Sequence, residues 1–226
     1  MPNELTSANI LSLASSGLEP GRLPSAAKEA FRSLLNLCGF PPGGWSYLES
    51  SDFFLAPASC RHHGNWQGGL AEHSLMVLHQ TVRLCGVMGC ALPGLCGGDA
   101  NGAEGPTDGT RALYLQDMAI AALLHDVAKA NYYEVSTRNV KQGGQWVQEP
   151  FFRRKPGLAQ MPHGMESLDR IGQWRQLSEA WRSAVVHHMG AFDSGNVDTF
   201  SESCRAHPEV LTLHTADMWA AQVRGV

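Results

Sequence analysis

Apolar residues recur at spacings of three and four along several stretches of this chain. Between residues 70 and 87, Ala71, Leu75, Leu78, Val82 and Cys85 fall on one stripe, which predicts a long helix with a buried face. A second long helix is expected over 111–130, with Ala119, Ala122 and Leu123 turned inward. Shorter helical patterns cover 25–37, 45–51, 164–174, 177–188 and 209–222, and the cluster Gly39, Pro41, Pro42, Gly43, Gly44 breaks the first from the second. The character changes over 137–152, where Val140, the pair Gly143-Gly144, Trp146 and Val147 predict a small β-hairpin with a glycine turn. Residues 89–110 are dominated by Gly, Pro, Asp and Asn and read as a mobile surface loop. The expected fold is all-α: a helical bundle with a β-hairpin insertion over 51–226, preceded by a helical extension over 1–50.

Composition narrows the classes. With 226 residues and 43% hydrophobic content, the chain suits one domain with a real core. Its net charge is −4 and it has no long Lys/Arg run, which argues against long DNA or RNA as a partner. The compact basic cluster Arg153-Arg154-Lys155 reads as a solvated loop ahead of a phosphate-steering patch. No stretch is long and apolar enough to span a membrane, and the first residues lack the basic start of a signal peptide. The six cysteines form no CxxC pair, and Cys85, Cys90 and Cys96 match no common zinc knuckle. Reduced thiols and a cytoplasmic location are expected.

The ten histidines change the picture, because several fall where a buried helix would carry an apolar residue. In LLHDVAK (123–129), His125 and Asp126 follow an almost wholly apolar run. An unpaired buried carboxylate costs several kcal/mol, and a divalent cation would compensate it. Lys129 lies four residues beyond His125 and three beyond Asp126, so it is expected on their face, beside an arriving anion. An HD pair alone could equally be a buried hydrogen-bonded pair. However, GGLAEHS (68–74) supplies His73, and LHTADMWAA (213–221) supplies Asp217 one turn after His214. Helical bundles build metal sites from such inward-pointing donors on separate helices.

The order His73, His125-Asp126, Asp217 resembles the HD superfamily of metal-dependent phosphohydrolases. The likeness extends over most of the chain from about residue 50. It is densest with a bacterial and phage HD-domain group, through APAS (56–59), HHGNWQGGLAEHS (62–74), RNVK (138–141), Trp146, HGMES (163–167), HMG (188–190) and TADM (215–218). The resemblance implies that His73, His125, Asp126 and Asp217 hold a divalent ion (Mn, Fe, Co, Ni, Zn or Mg). It also implies that Lys129 contacts phosphate. His163 and His188 match histidines that bind a second ion in two-metal members; here they either do so or contact the phosphate and orient water. His188 is preferred to the adjacent His187. His63 is expected to line the pocket, Glu72, Glu166 and His214 to support the ligands, and His62, His79 and His207 to be surface or packing residues.

The function expected on this basis is hydrolysis of a phosphomonoester or phosphodiester, a nucleotide or short oligonucleotide, by metal-activated water. Asp126, Lys129, His163 and His188 would be the catalytic groups. Two other readings use the same residues: a di-iron HD-type oxygenase, and a non-catalytic nucleotide-sensing module.

Overall fold

The computed structural model describes residues 4–18, 24–85, 87–88, 108–158, 162–191 and 196–226. Within them the chain is mostly helical, with one two-stranded antiparallel sheet. Helices α1 (Ser7–Gly17), α2 (Pro24–Leu37) and α3 (Pro42–Ser50) precede α4 (Gly69–Cys85) and α5 (Asp108–Leu124). A short 3₁₀ turn, Val127–Lys129, leads into the hairpin strands β1 (Tyr133–Gln142) and β2 (Gln145–Arg154). Helices α6 (His163–Gly172), α7 (Glu179–His187), α8 (Val197–Ala206) and α9 (Pro208–Trp219) complete the bundle, and a π turn (Ala220–Arg224) ends α9.

The long helix α4 is central. It packs against α1, α2, α5 and α9, while α7 joins α5, α6 and α9. Its buried positions include Leu70, Leu75, Val77, Leu78 and Val82, so α4 is covered on several sides and buries more than the single stripe expected. The N-terminal helices belong to the same core: Ile10 and Ala14 of α1 and Phe31 and Leu34 of α2 are buried in it. Thr6 starts α1 by accepting from the Asn9 amide, satisfying one of the first-turn donors.

Two expectations are corrected. The helix expected to reach residue 130 stops at Leu124, so His125 and Asp126 lie in a turn beyond it, and Lys129 lies on a 3₁₀ turn. The helix expected over 209–222 ends at Trp219 and widens into the π turn. The hairpin is longer than expected, pairing Tyr133 with Arg154 through to Gln142 with Gln145. Its turn residues Gly143 and Gly144 both have positive φ (58° and 88°), as a type I′ turn requires. Neither strand buries any residue fully, so the hairpin is a ribbon on the bundle's surface. No helix among the described residues is long and apolar enough to cross a membrane. The expected loop at 89–110, including Cys90 and Cys96, lies outside the described residues except for its last three positions, which begin α5.

Candidate metal centre

Five separate segments deliver the site. His73 projects from the second turn of α4, His125 and Asp126 follow α5, His163 opens α6, and His188 follows α7, while Asp217 comes from α9. His73, His125 and His188 are fully buried, and Asp126 is 2% exposed.

Asp126 is the hub. Its Oδ2 lies 3.8 Å from His73 Nε2 and 3.5 Å from His125 Nε2, and its Oδ1 lies 3.4 Å from His163 Nε2 and 3.5 Å from His188 Nε2. Asp217 Oδ1 stands 3.0 Å from His73 Nε2. The donors therefore form two groups, His73–His125–Asp126 and Asp126–His163–His188, and each could hold a cation. Neighbouring donors on an ion with bonds of about 2.1 Å stand about 3.0 Å apart in octahedral and about 3.4 Å in tetrahedral geometry, close to most of these separations.

Second partners set the imidazole tautomers. Nδ1 of His73 contacts the Val226 carbonyl at 2.9 Å, Nδ1 of His125 the Ala122 carbonyl at 2.9 Å, and Nδ1 of His188 the Val185 carbonyl at 2.7 Å. A carbonyl only accepts, so each Nδ1 carries the proton. In a neutral ring Nε2 is then a lone pair, and all three lone pairs face a carboxylate. That opposition needs a positive charge between the groups. Lys129 supplies part of it, its ammonium donating to Asp126 Oδ2 at 2.6 Å. Asp126 Oδ1 and the Nε2 atoms of His73, His125 and His188 are buried with no hydrogen bond. At roughly 1–3 kcal/mol each, four such atoms would cost about 4–12 kcal/mol. That approaches a domain's entire net stability of about 5–15 kcal/mol. A cation compensates them together, so the donor set fits a divalent ion.

The charge state of each group follows from burial set against its neighbours. Burial disfavours ionised Asp126, but the ammonium of Lys129 outweighs it and holds its carboxyl well below the usual carboxylate range. Asp217 is also held low: burial opposes ionisation, and the close approach of His73 more than offsets this. Burial pushes His125 down, keeping it neutral. His188 moves up, because Asp126 outweighs the burial that disfavours its charged form. Burial, followed by the proximity of His73, lowers His63 to about 4.

The access route lies where the site is least covered. His163 and Lys129 have side-chain exposures of 26% and 14%, and His63, half-buried, sits 4.9 Å ring to ring from His73.

The motif residues around the ligands have physical tasks. Ser167 of HGMES accepts from the Ala128 amide at 3.1 Å, tying α6 to the turn that carries Asp126 and Lys129. Ser59 of APAS donates to the His63 carbonyl and accepts from the His62 amide, both at 2.8 Å, shaping the loop that presents His63. Gly69 lets α4 start against that loop, since a Cβ there would stand 2.1 Å from the Gly64 carbonyl oxygen. Gly190 of HMG has φ +62°, and a Cβ would stand 2.8 Å from the His214 ring. His214 contacts the His188 carbonyl at 2.7 Å through Nδ1, so it supports the ligand segment as expected. Glu72 and Glu166 do not: Glu72 accepts from Trp66, and Glu166 pairs with Arg170. His187 ends α7 half-buried, and His62 is exposed. His79 contacts Gln80, and His207 stands 3.9 Å from Glu179. The carbonyl of Val226 was not foreseen, because a backbone acceptor leaves no residue-type signal.

Compared with known proteins, the chain matches no protein-family model, no curated protein and no solved structure.

Proposed function

We propose that the chain is a metal-dependent phosphohydrolase of the HD type, acting on a phosphomonoester or phosphodiester such as a nucleotide. The observation that carries this reading is the set of carbonyl-fixed histidines whose Nε2 lone pairs converge on one carboxylate beside a lysine. His73, His125, Asp126 and Asp217 would hold one divalent ion, and Asp126, His163 and His188 a second. Such ions supply Lewis acidity toward a phosphoryl oxygen and lower the pKa of a water so that it can attack at neutral pH.

The chain's own residues do the rest. Lys129 keeps its ammonium charged, since Asp126 and Tyr133 outweigh the burial that would lower its pKa. An ammonium has three N–H donors and Asp126 uses one, which leaves capacity to donate to a phosphate oxygen. The buried imidazoles and the apolar walls from α4 and α5 exclude bulk water, which strengthens each charge interaction. A lysine at the carboxylate hub suits an anionic substrate, and a phosphate ester is one.

The test is a hydrolysis screen with Mg, Mn, Fe, Co, Ni and Zn. Substrates are p-nitrophenyl phosphate, bis(p-nitrophenyl) phosphate and nucleoside monophosphates. Turnover above the no-enzyme rate that disappears in Asp126→Ala supports the reading. Turnover at the no-enzyme rate with every metal overturns it, and oxygen uptake by an iron-loaded sample would replace it with oxygenase chemistry.

A further inference from the structure

Beside the metal centre lies a second feature, a pocket of about 780 Å³ between the loop at 60–65 and the base of the hairpin. Its volume is within the range of small-ligand sites. Four of its lining residues are arginines, Arg61, Arg138, Arg153 and Arg154, and none is acidic. Arg138 and Arg153 are each paired with a glutamate across the hairpin, at 2.8 and 2.7 Å. Among the described residues Arg61 and Arg154 have no carboxylate partner, so the pocket keeps a positive surplus on a chain of net charge −4.

The pocket also offers flat apolar faces. Tyr132, Tyr133, Phe151 and Phe152 line it and are all half-buried, so each leaves part of a ring uncovered. Guanidinium groups lie over two of these rings: Arg138 5.4 Å from the Phe151 centroid, and Arg154 5.9 Å from that of Tyr132. Cationic groups interleaved with partly open aromatic faces are what single-stranded nucleic acid requires, with phosphates on the first and bases on the second.

Two segments wall both this pocket and the metal centre. The loop at 60–65 places Cys60, Arg61 and Asn65 on the pocket and His63 against His73. The segment from Lys129 places its ammonium on Asp126 and, three and four residues on, Tyr132 and Tyr133 on the pocket. That segment is pinned: Asn131 accepts from the Asp52 amide, and Asp52 accepts from the Asn131 amide. A chain bound in the pocket would therefore lie against the same two segments that carry His63 and Lys129.

We propose that this pocket binds the nucleotides flanking the scissile phosphate of a short single-stranded oligonucleotide, with Arg61 and Arg154 on its phosphates and the hairpin aromatics on its bases. The proposal rests on the phosphohydrolase reading for what happens at the centre, but not for binding. Arg153 and Arg154 end strand β2 and do not lie in the loop expected for them, and the proposal makes Arg154 part of a recognition surface.

The experiment measures binding by fluorescence anisotropy with labelled phosphorothioate tetranucleotides, thymidine and uridine, which resist hydrolysis. Thymidine monophosphate and tripolyphosphate serve as competitors. The wild-type chain is compared with Arg61→Ala/Arg154→Gln, two surface changes whose fold is checked by circular dichroism. A tetranucleotide of one or both sugars is expected to bind at least roughly tenfold more tightly than either competitor, because stacking and several phosphates act together. The double variant should lose at least roughly tenfold of that affinity, and the slope of log K against log salt should fall by about 1.4, at about 0.7 per lost single-strand phosphate contact. Tripolyphosphate or the monophosphate competing as well as the tetranucleotide overturns the proposal, as does a double variant that binds like wild type. Hydrolysis of bis(p-nitrophenyl) phosphate on the same samples reports the centre separately. Binding without any hydrolysis leaves the pocket standing and removes the enzyme, and hydrolysis without oligonucleotide binding does the reverse.

Discussion

Replacing Gly164 by alanine adds one methyl group where α6 meets the end of α7. A Cβ at this position would stand 2.6 Å from the Val186 carbonyl oxygen and 2.7 Å from that of Val185. Ordinary carbon–oxygen contacts begin at about 3.3 Å, so the two backbones must separate by about 0.6–0.7 Å. Neither obstacle is a flexible side chain. The Val185 carbonyl also accepts from His188 Nδ1, and His163 directly precedes Gly164, so the separation falls between the two histidines that share Asp126 Oδ1. Metal sites tolerate displacements of about 0.2 Å in their bonds, a third of this shift. Gly164→Ala should therefore lower metal content from two equivalents toward one, because His73 lies on α4 and His125 in the turn after α5. Overpacking of this kind costs about 1–3 kcal/mol. In a chain of this length, at about 2–4 °C per kcal/mol, the Tm should fall by about 2–12 °C. The control is Gly172→Ala at the end of the same helix, where the nearest atom to a Cβ is Gln176 Nε2 at 3.7 Å. It should keep both ions and an equal or higher Tm, since alanine is the better helix former. Metal analysis and calorimetry on the three proteins decide the matter. A Gly164→Ala protein with two equivalents and the wild-type Tm would refute the reasoning.

Three further outcomes are expected. Lys129→Met should retain bound metal while kcat/KM for phosphate esters falls by about 10²–10³, as when one donor to a developing oxyanion is removed; unchanged kinetics would remove Lys129 from the mechanism. Deleting Val226 removes the acceptor for His73 Nδ1 and should weaken metal affinity by about 10–100-fold in a competition titration with a chromogenic chelator. On acidification of metal-free protein, Asp126 and Asp217 matter most, because their carboxyls are held below the unfolded value in the fold. Their contribution is complete above an unfolded pKa of about 3.9 and is lost as pH falls below it. Urea unfolding across that range should show the loss in wild type and a shallower one in Asp217→Asn.

The sequence made most of the helices and most of the donors legible, because a long apolar period and a histidine inside it are local signals, whereas α1 and α8 carry no such period. The period gave α4 and most of α5, and the change to alternation with Gly143-Gly144 gave the hairpin. It did not reveal that α5 ends at Leu124. Ala121 to Val127 is apolar enough to continue a helix, and the turn that aims Asp126 at both histidine groups is held by Ser167 from another helix. Glu72 and Glu166 were expected near the ligands from sequence proximity, yet each is taken up by a local partner, Trp66 or Arg170. The glycines of HG and HMG were legible as letters but not as contacts, since the Val185 and Val186 carbonyls and the His214 ring come from elsewhere in the chain. The pocket against the hairpin was hidden for the same reason: Arg61 and Arg154 are far apart in sequence and meet only through the fold.

The central claim is that Asp126 joins two cation sites. Metal analysis of untagged protein, purified without added metal and then loaded and desalted, tests it most directly, with Asp126→Ala alongside. Near two equivalents of a divalent transition metal in the native protein, lost in the variant, is the predicted result. No bound metal in the native protein after loading, or the same content in both proteins, would contradict the account.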